Sequence, residues 1–193
     1  MAGDRALPSL PRSVVLGALG FGAASVAVFA TVAFGERWMY RTLGHLGAYA
    51  AWTALFIVLG GAALAPLLAG PRRLLRSYLL FGGSFLAYAG TWVGAYFSLH
   101  GAAGEWVGSA VGSALMALVL AGGFKSWRTL PRVAPVLFAS NALGYFLGGM
   151  PFYALKSPAG MLLWGVIYGL FLGAGLGASF HLAQVQRSRP SEA

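Results

Sequence analysis

His100 and Glu105, in the stretch SLHGAAGEW, are the one histidine–carboxylate pair of this chain separated by as few as five positions. With three histidines and four acidic residues in 193, acid–base or metal chemistry has few places to reside. An imidazole beside a carboxylate can move a proton, and His45, His100 and Glu105 together form a weak candidate set for zinc or another divalent ion. No HExxH run or cysteine pair strengthens that reading. Cysteine is absent, which excludes disulfides, thiolate metal sites and thiol nucleophiles. Both residues also suit helix ends, the carboxylate near a helix N-terminus and the imidazole near a C-terminus. No cofactor is expected.

The other polar side chains sit within apolar runs. Asn141, in LFASNALGYFLGG, is the one carboxamide well inside such a run; in hydrocarbon it needs a partner, because an unsatisfied amide costs several kcal/mol. Ser84 aligns with it in a candidate internal repeat described below. Trp38, Trp52, Trp92, Trp106 and Trp164 map to one half of the chain's helical segments, as do Tyr49, Tyr96 and Tyr153. An interfacial belt accounts for Trp38 and Trp106. Trp52 and Trp92 lie about two turns deeper, where they would line an apolar cavity for a lipid, quinone or small amphiphile. Asn141, Ser84, Trp52, Trp92, Tyr96 and Tyr153 are therefore the candidates for a solute path or for helix contacts.

The segments that carry these residues follow from composition. Hydrophobic residues make up 59% of the chain and charged residues 9%, and the mean hydropathy is +0.75. A soluble domain has about 25% charged residues, so most side chains here must face lipid or one another. The expected fold is all-α: a single integral membrane domain, a compact bundle of six transmembrane helices at 14–34, 46–69, 78–99, 106–123, 133–155 and 160–183. Each is close to the roughly 20 residues that cross a bilayer. The first is read as an uncleaved helix, because its apolar run exceeds that of a signal peptide.

Ten of the thirteen basic residues fall at the termini and in the second and fourth connections, against Arg37, Arg41 and Lys156 in the others. Lys and Arg accumulate on the cytoplasmic side, so both termini are expected inside, in a bacterial inner membrane, with anionic lipid headgroups as partners. The charge comes in short clusters between apolar runs, which argues against nucleic acid as a partner.

Glycine supplies the expected helix contacts. Gly165, Gly169, Gly173 and Gly177 recur every fourth residue in the last segment, with Gly104, Gly108 and Gly112, Gly90 and Gly94, and Gly144 and Gly148 in others. In lipid, close approach through small residues drives association, either within the bundle or in a homo-oligomer or membrane-protein partner. A shift of 57 residues overlays Tyr88 on Tyr145, Tyr96 on Tyr153 and Gly108 on Gly165, a candidate two-helix repeat. No ionisable residue falls at a helix centre, which disfavours a carboxylate-coupled transporter. The expected function is a small uncoupled permease or channel for a neutral or weakly polar solute. The alternatives are a non-catalytic accessory subunit of a membrane complex and an outer-face lipid-modifying enzyme using His100 and Glu105.

Overall fold

In a computed structural model, which describes residues 7–188, every regular element is helical. Helix α1 spans Leu10–Leu64, with one interruption at Gly44 (φ 68°, ψ 177°). That backbone is open without strain only to glycine. It folds α1 into two antiparallel arms, residues 10–43 and 45–64, with Phe21 stacked on Phe56 at 5.8 Å between ring centres. The expected break after Phe34 does not occur. Glu36, Arg37 and Arg41 prolong the first arm, since Arg and Glu are good helix formers and no proline intervenes.

After a 3₁₀ turn, Ala65–Leu67, the chain reverses through Arg72 in a left-handed conformation. It then runs through α2 (Arg73–Ser77), a π-helical turn (Tyr78–Gly82) and α3 (Gly83–Leu99) without leaving helix. Ser77 anchors this run by donating its hydroxyl to the Gly61 carbonyl at 2.7 Å. Helix α4 (Gly101–Phe124) begins earlier than expected, so Glu105 lies within it. Helix α5 (Leu130–Leu155) continues through Pro135 and Pro151, and α6 spans Pro158–Ser188. Two of the ten basic residues counted toward orientation, Arg5 and Arg189, lie outside the described residues.

Among the described residues four helical stretches are long and apolar enough to cross a membrane: Leu10–Leu67, Gly101–Phe124, Trp127–Leu155 and Pro158–Gln186. This differs from the six separate segments expected. The first two merge into one helix broken at a single residue, and the third is divided by the π turn. The outside of the bundle suits lipid: Leu46, Phe34, Leu79 and Leu19 are 75%, 73%, 66% and 63% exposed. Phe21, Phe81, Phe124, Phe180 and Leu176 fill the interior.

Backbone meets backbone most closely between α6 and the first arm of α1. A Cβ on Gly173 would collide with the Gly17 carbonyl and come within 2.9 Å of Phe21 Cβ. One on Gly169 would lie 2.8 Å from Gly22 Cα, and one on Gly177 would strike the Ser13 carbonyl. Ser25 adds a buried hydrogen bond to the Gly165 carbonyl at 2.8 Å. The sequence overlay is not repeated in this packing. Gly108 and Gly112 meet Trp92 and Tyr88 of the preceding helix, whereas their overlaid partners Gly165 and Gly169 meet Phe29 and Ser25 of α1. Gly90 and Gly94 have open space around them.

A buried glutamine closes the opposite end from Gly44. Gln184 donates to the Leu67 carbonyl at 3.0 Å and accepts from the Ala69 N–H at 2.9 Å. These bonds satisfy the chain where α1 ends. Arg76 donates to the Ala69 carbonyl at 2.7 Å in the same turn.

Two stability comparisons test this account, both read as thermal midpoints in detergent. Gly173→Ala should lose about 1–3 kcal/mol, since no flexible side chain is there to yield, whereas Gly90→Ala should be neutral or stabilising by up to about 1 kcal/mol through helix propensity. Gln184→Leu should cost about 1–3 kcal/mol for each backbone group left buried and unpaired, lowering the midpoint well below that of the parent.

Candidate functional site, an aromatic chamber

The two arms of α1, with α3, α5 and α6, leave a cavity of about 190 Å³ between them. Nine of its fourteen lining residues are aromatic: Phe29, Tyr49, Trp52, Phe56, Phe85, Tyr88, Trp92, Tyr145 and Tyr168. None of the fourteen is charged. Helical spacing explains how one sequence assembles such a wall. Phe85, Tyr88 and Trp92 recur at three and four residues along α3, as do Tyr49, Trp52 and Phe56 along the second arm of α1. Each set therefore occupies one helix face.

Glycines set the height of these faces. A Cβ on Gly108 would stand 3.0 Å from Trp92 Cα, and one on Gly112 2.7 Å from the Tyr88 ring. One on Gly144 would lie 3.1 Å from Tyr168 Cα. Because α4 and α5 carry no side chain at these points, the aromatic residues of α3 and α6 are held at close range. The rings then order one another. Tyr145 stands edge-on to Trp92 at 5.6 Å and to Trp164 at 5.3 Å, and Phe56 packs on Phe85 at 5.2 Å. Such pairs contribute about 0.5–1.5 kcal/mol each beyond the area they bury.

Hydrogen bonding inside the wall is incomplete. The Tyr168 hydroxyl donates to Asn141 Oδ1 at 3.4 Å, and the Tyr145 hydroxyl to Glu105 Oε1 at 3.2 Å. The indole N–H groups of Trp52, Trp92 and Trp164 have no acceptor, and neither does Asn141 Nδ2. Trp52 is 8% exposed and Asn141 1%, so these are donors shut off from solvent. At the Gly44 end, Tyr40 covers Trp52 at 5.6 Å between ring centres.

The structure separates the residues singled out from sequence. Trp52 and Trp92 line the chamber, Tyr96 stacks on Trp92 at 5.1 Å, and Asn141 stands behind the wall against Tyr168. Ser84 donates to the Phe81 carbonyl of its own helix at 3.0 Å and so forms no pair with Asn141. Tyr153 is 62% exposed at the end of α5. His45 is exposed, with its ring 4.5 Å from that of Tyr40. His100 is exposed too, and Glu105 accepts its hydrogen bond from Tyr145 of the neighbouring helix α5. Among the described residues no group of three His, Asp or Glu side chains is placed to hold a metal.

Tyr88, Tyr145, Tyr168 and the three lining phenylalanines were not singled out from sequence. The signal was present as the three-and-four spacing of aromatic residues, which also describes an ordinary core. No family model, no curated protein and no solved structure matches this chain.

His100 offers a direct test of the dyad. Its backbone (φ 55°, ψ 157°) lies in a region that costs a residue other than glycine about 1–3 kcal/mol. If the residue serves only as a turn, His100→Gly should raise the thermal midpoint. A fall would reveal a supporting role for the imidazole.

Proposed function

We propose that the chain is a six-span protein of a bacterial inner membrane, with both termini cytoplasmic, that admits a small neutral or weakly polar solute through the aromatic chamber without ion coupling. The observation that carries this reading is an uncharged cavity of about 190 Å³ walled by nine aromatic side chains within long apolar helices. Pockets for small molecules have this character, a mostly apolar lining with few polar groups. The six spans correspond to the two arms of α1, the helical run 73–99, and α4, α5 and α6. The second arm, at 20 residues, is about 30 Å long, the thickness of a bilayer core. The basic residues Arg72, Arg73, Arg76, Lys125, Arg128 and Arg132 sit in two connections at one end of the bundle, as the positive-inside rule requires of a cytoplasmic face. Coupling to protons or ions would call for an ionisable group in the path, and none of the lining residues supplies one.

A second reading is favoured by one observation. Gly90 and Gly94 form an open strip on α3, with the exposed Leu86 and Phe97 nearby. That strip suits a second membrane helix, in a homo-oligomer or a larger assembly. The Gly165–Gly177 strip is occupied by α1 and offers no such surface.

Proteoliposomes test the permease reading by light scattering after osmotic shock with a panel of uncharged solutes such as urea, glycerol and small amides. At least one solute should equilibrate faster than in protein-free vesicles, independently of pH or sodium gradients. Ala89→Phe, which places a ring in the chamber, should return that rate to the protein-free value. Equal rates for the parent and Ala89→Phe would overturn the reading.

A further inference from the structure

The polar groups of the chamber are unbalanced. The Tyr145 and Tyr168 hydroxyls are already committed to Glu105 and Asn141. The N–H groups of Trp52 and Trp92, both on lining residues, have no acceptor. A buried donor without a partner costs about 1–3 kcal/mol, and these two nitrogens are closed to water. Both rings line the chamber, so an occupant that carries acceptors can partner them once each indole turns toward it.

Size and shape narrow the occupant further. An apolar cavity of about 150 Å³ holds one benzene ring; this chamber, at about 190 Å³, has room for one ring with small substituents. Its walls are flat faces, which favour stacked or edge-on contact with another ring. A charged occupant is disfavoured, because no opposite charge lines the chamber. The lining hydroxyls can donate or accept, whereas the two indoles can only donate, so carbonyl oxygens are what the indoles call for.

We infer that the chamber binds a single uncharged ring bearing carbonyl oxygens, the chemistry of a quinone headgroup, with its oxygens accepting hydrogen bonds from Trp52 and Trp92. This rests on the reading of the chamber as the solute site and specifies what that site takes. Binding alone is inferred, with no electron transfer.

The experiment uses the full chain in detergent, with duroquinone and durene as probes. Both have a tetramethyl ring of nearly the same size, and only duroquinone carries carbonyl oxygens. Affinity is read by calorimetry, with binding-induced shifts in thermal midpoint as a second measurement. Duroquinone should bind about tenfold or more tightly than durene. Trp52→Phe and Trp92→Phe keep a ring and remove the N–H, so each should weaken duroquinone by roughly three- to tenfold and leave durene unchanged. The midpoint of each unliganded variant reports that it has folded. If both probes bind equally and Ala89→Phe abolishes both, the chamber is a solute site but the inference about carbonyl oxygens is overturned. If neither probe binds, or binding survives Ala89→Phe, the inference is overturned, and the flux comparison of the parent with Ala89→Phe alone decides the functional reading.

Discussion

The contact on which the rest depends is the approach of α6 to the first arm of α1, backbone against backbone, at Gly17, Gly22, Gly169, Gly173 and Gly177. In lipid there is little hydrophobic drive between helices, so dispersion at short range and a few buried hydrogen bonds must hold them together. This seam has both, since Ser25 bonds the Gly165 carbonyl in the same groove. It also fixes the rotation of α6. With Gly165 and Gly169 turned to α1, Trp164 and Tyr168 are each about 100° round the helix, Trp164 against Gly148 of α5 and Tyr168 in the chamber wall. A glycine seam on one side of the helix thus decides which aromatic residues face the cavity on the other.

The sequence made the class of molecule plain, because hydropathy and charge clustering are properties of whole segments and survive errors in detail. Its boundaries were less legible. The charged stretch Glu36–Arg41 reads as a loop, but charge ends a membrane core without ending a helix, and the reversal falls on Gly44 alone. The early start of α4 has a similar origin, since His100, Glu105 and the two glycines between Leu99 and Trp106 read as a connection, whereas helix resumes at Gly101. The π turn left no mark that hydropathy reads.

The site was partly legible. Depth along a helix picked out Trp52 and Trp92, and both line the cavity. The phenylalanines and the buried tyrosines could not be told from core, since a cavity differs from a filled core only by the sum of side-chain shapes from several helices. The partner of Glu105 was not legible for another reason. Its neighbour in sequence is His100, but its hydrogen-bond partner is Tyr145, forty residues away, so the pairing depends on how α4 and α5 dock. Gln184 was missed because it lies near the chain end, where nothing local indicates that α1 terminates beside it.

The three connections at the Gly44 end are very short: Gly44 itself, His100 between α3 and α4, and Lys156 and Ser157 between α5 and α6. The bundle therefore behaves like three clothes-pegs, each sprung shut at its closed tip. The legs of one peg cannot part near that tip without unwinding helix. The chamber, however, takes its walls from all three pegs, so its seams run between them. A change in the width of the chamber therefore falls on the seams between pegs, where whole pegs can shift as rigid bodies and leave every short turn undisturbed.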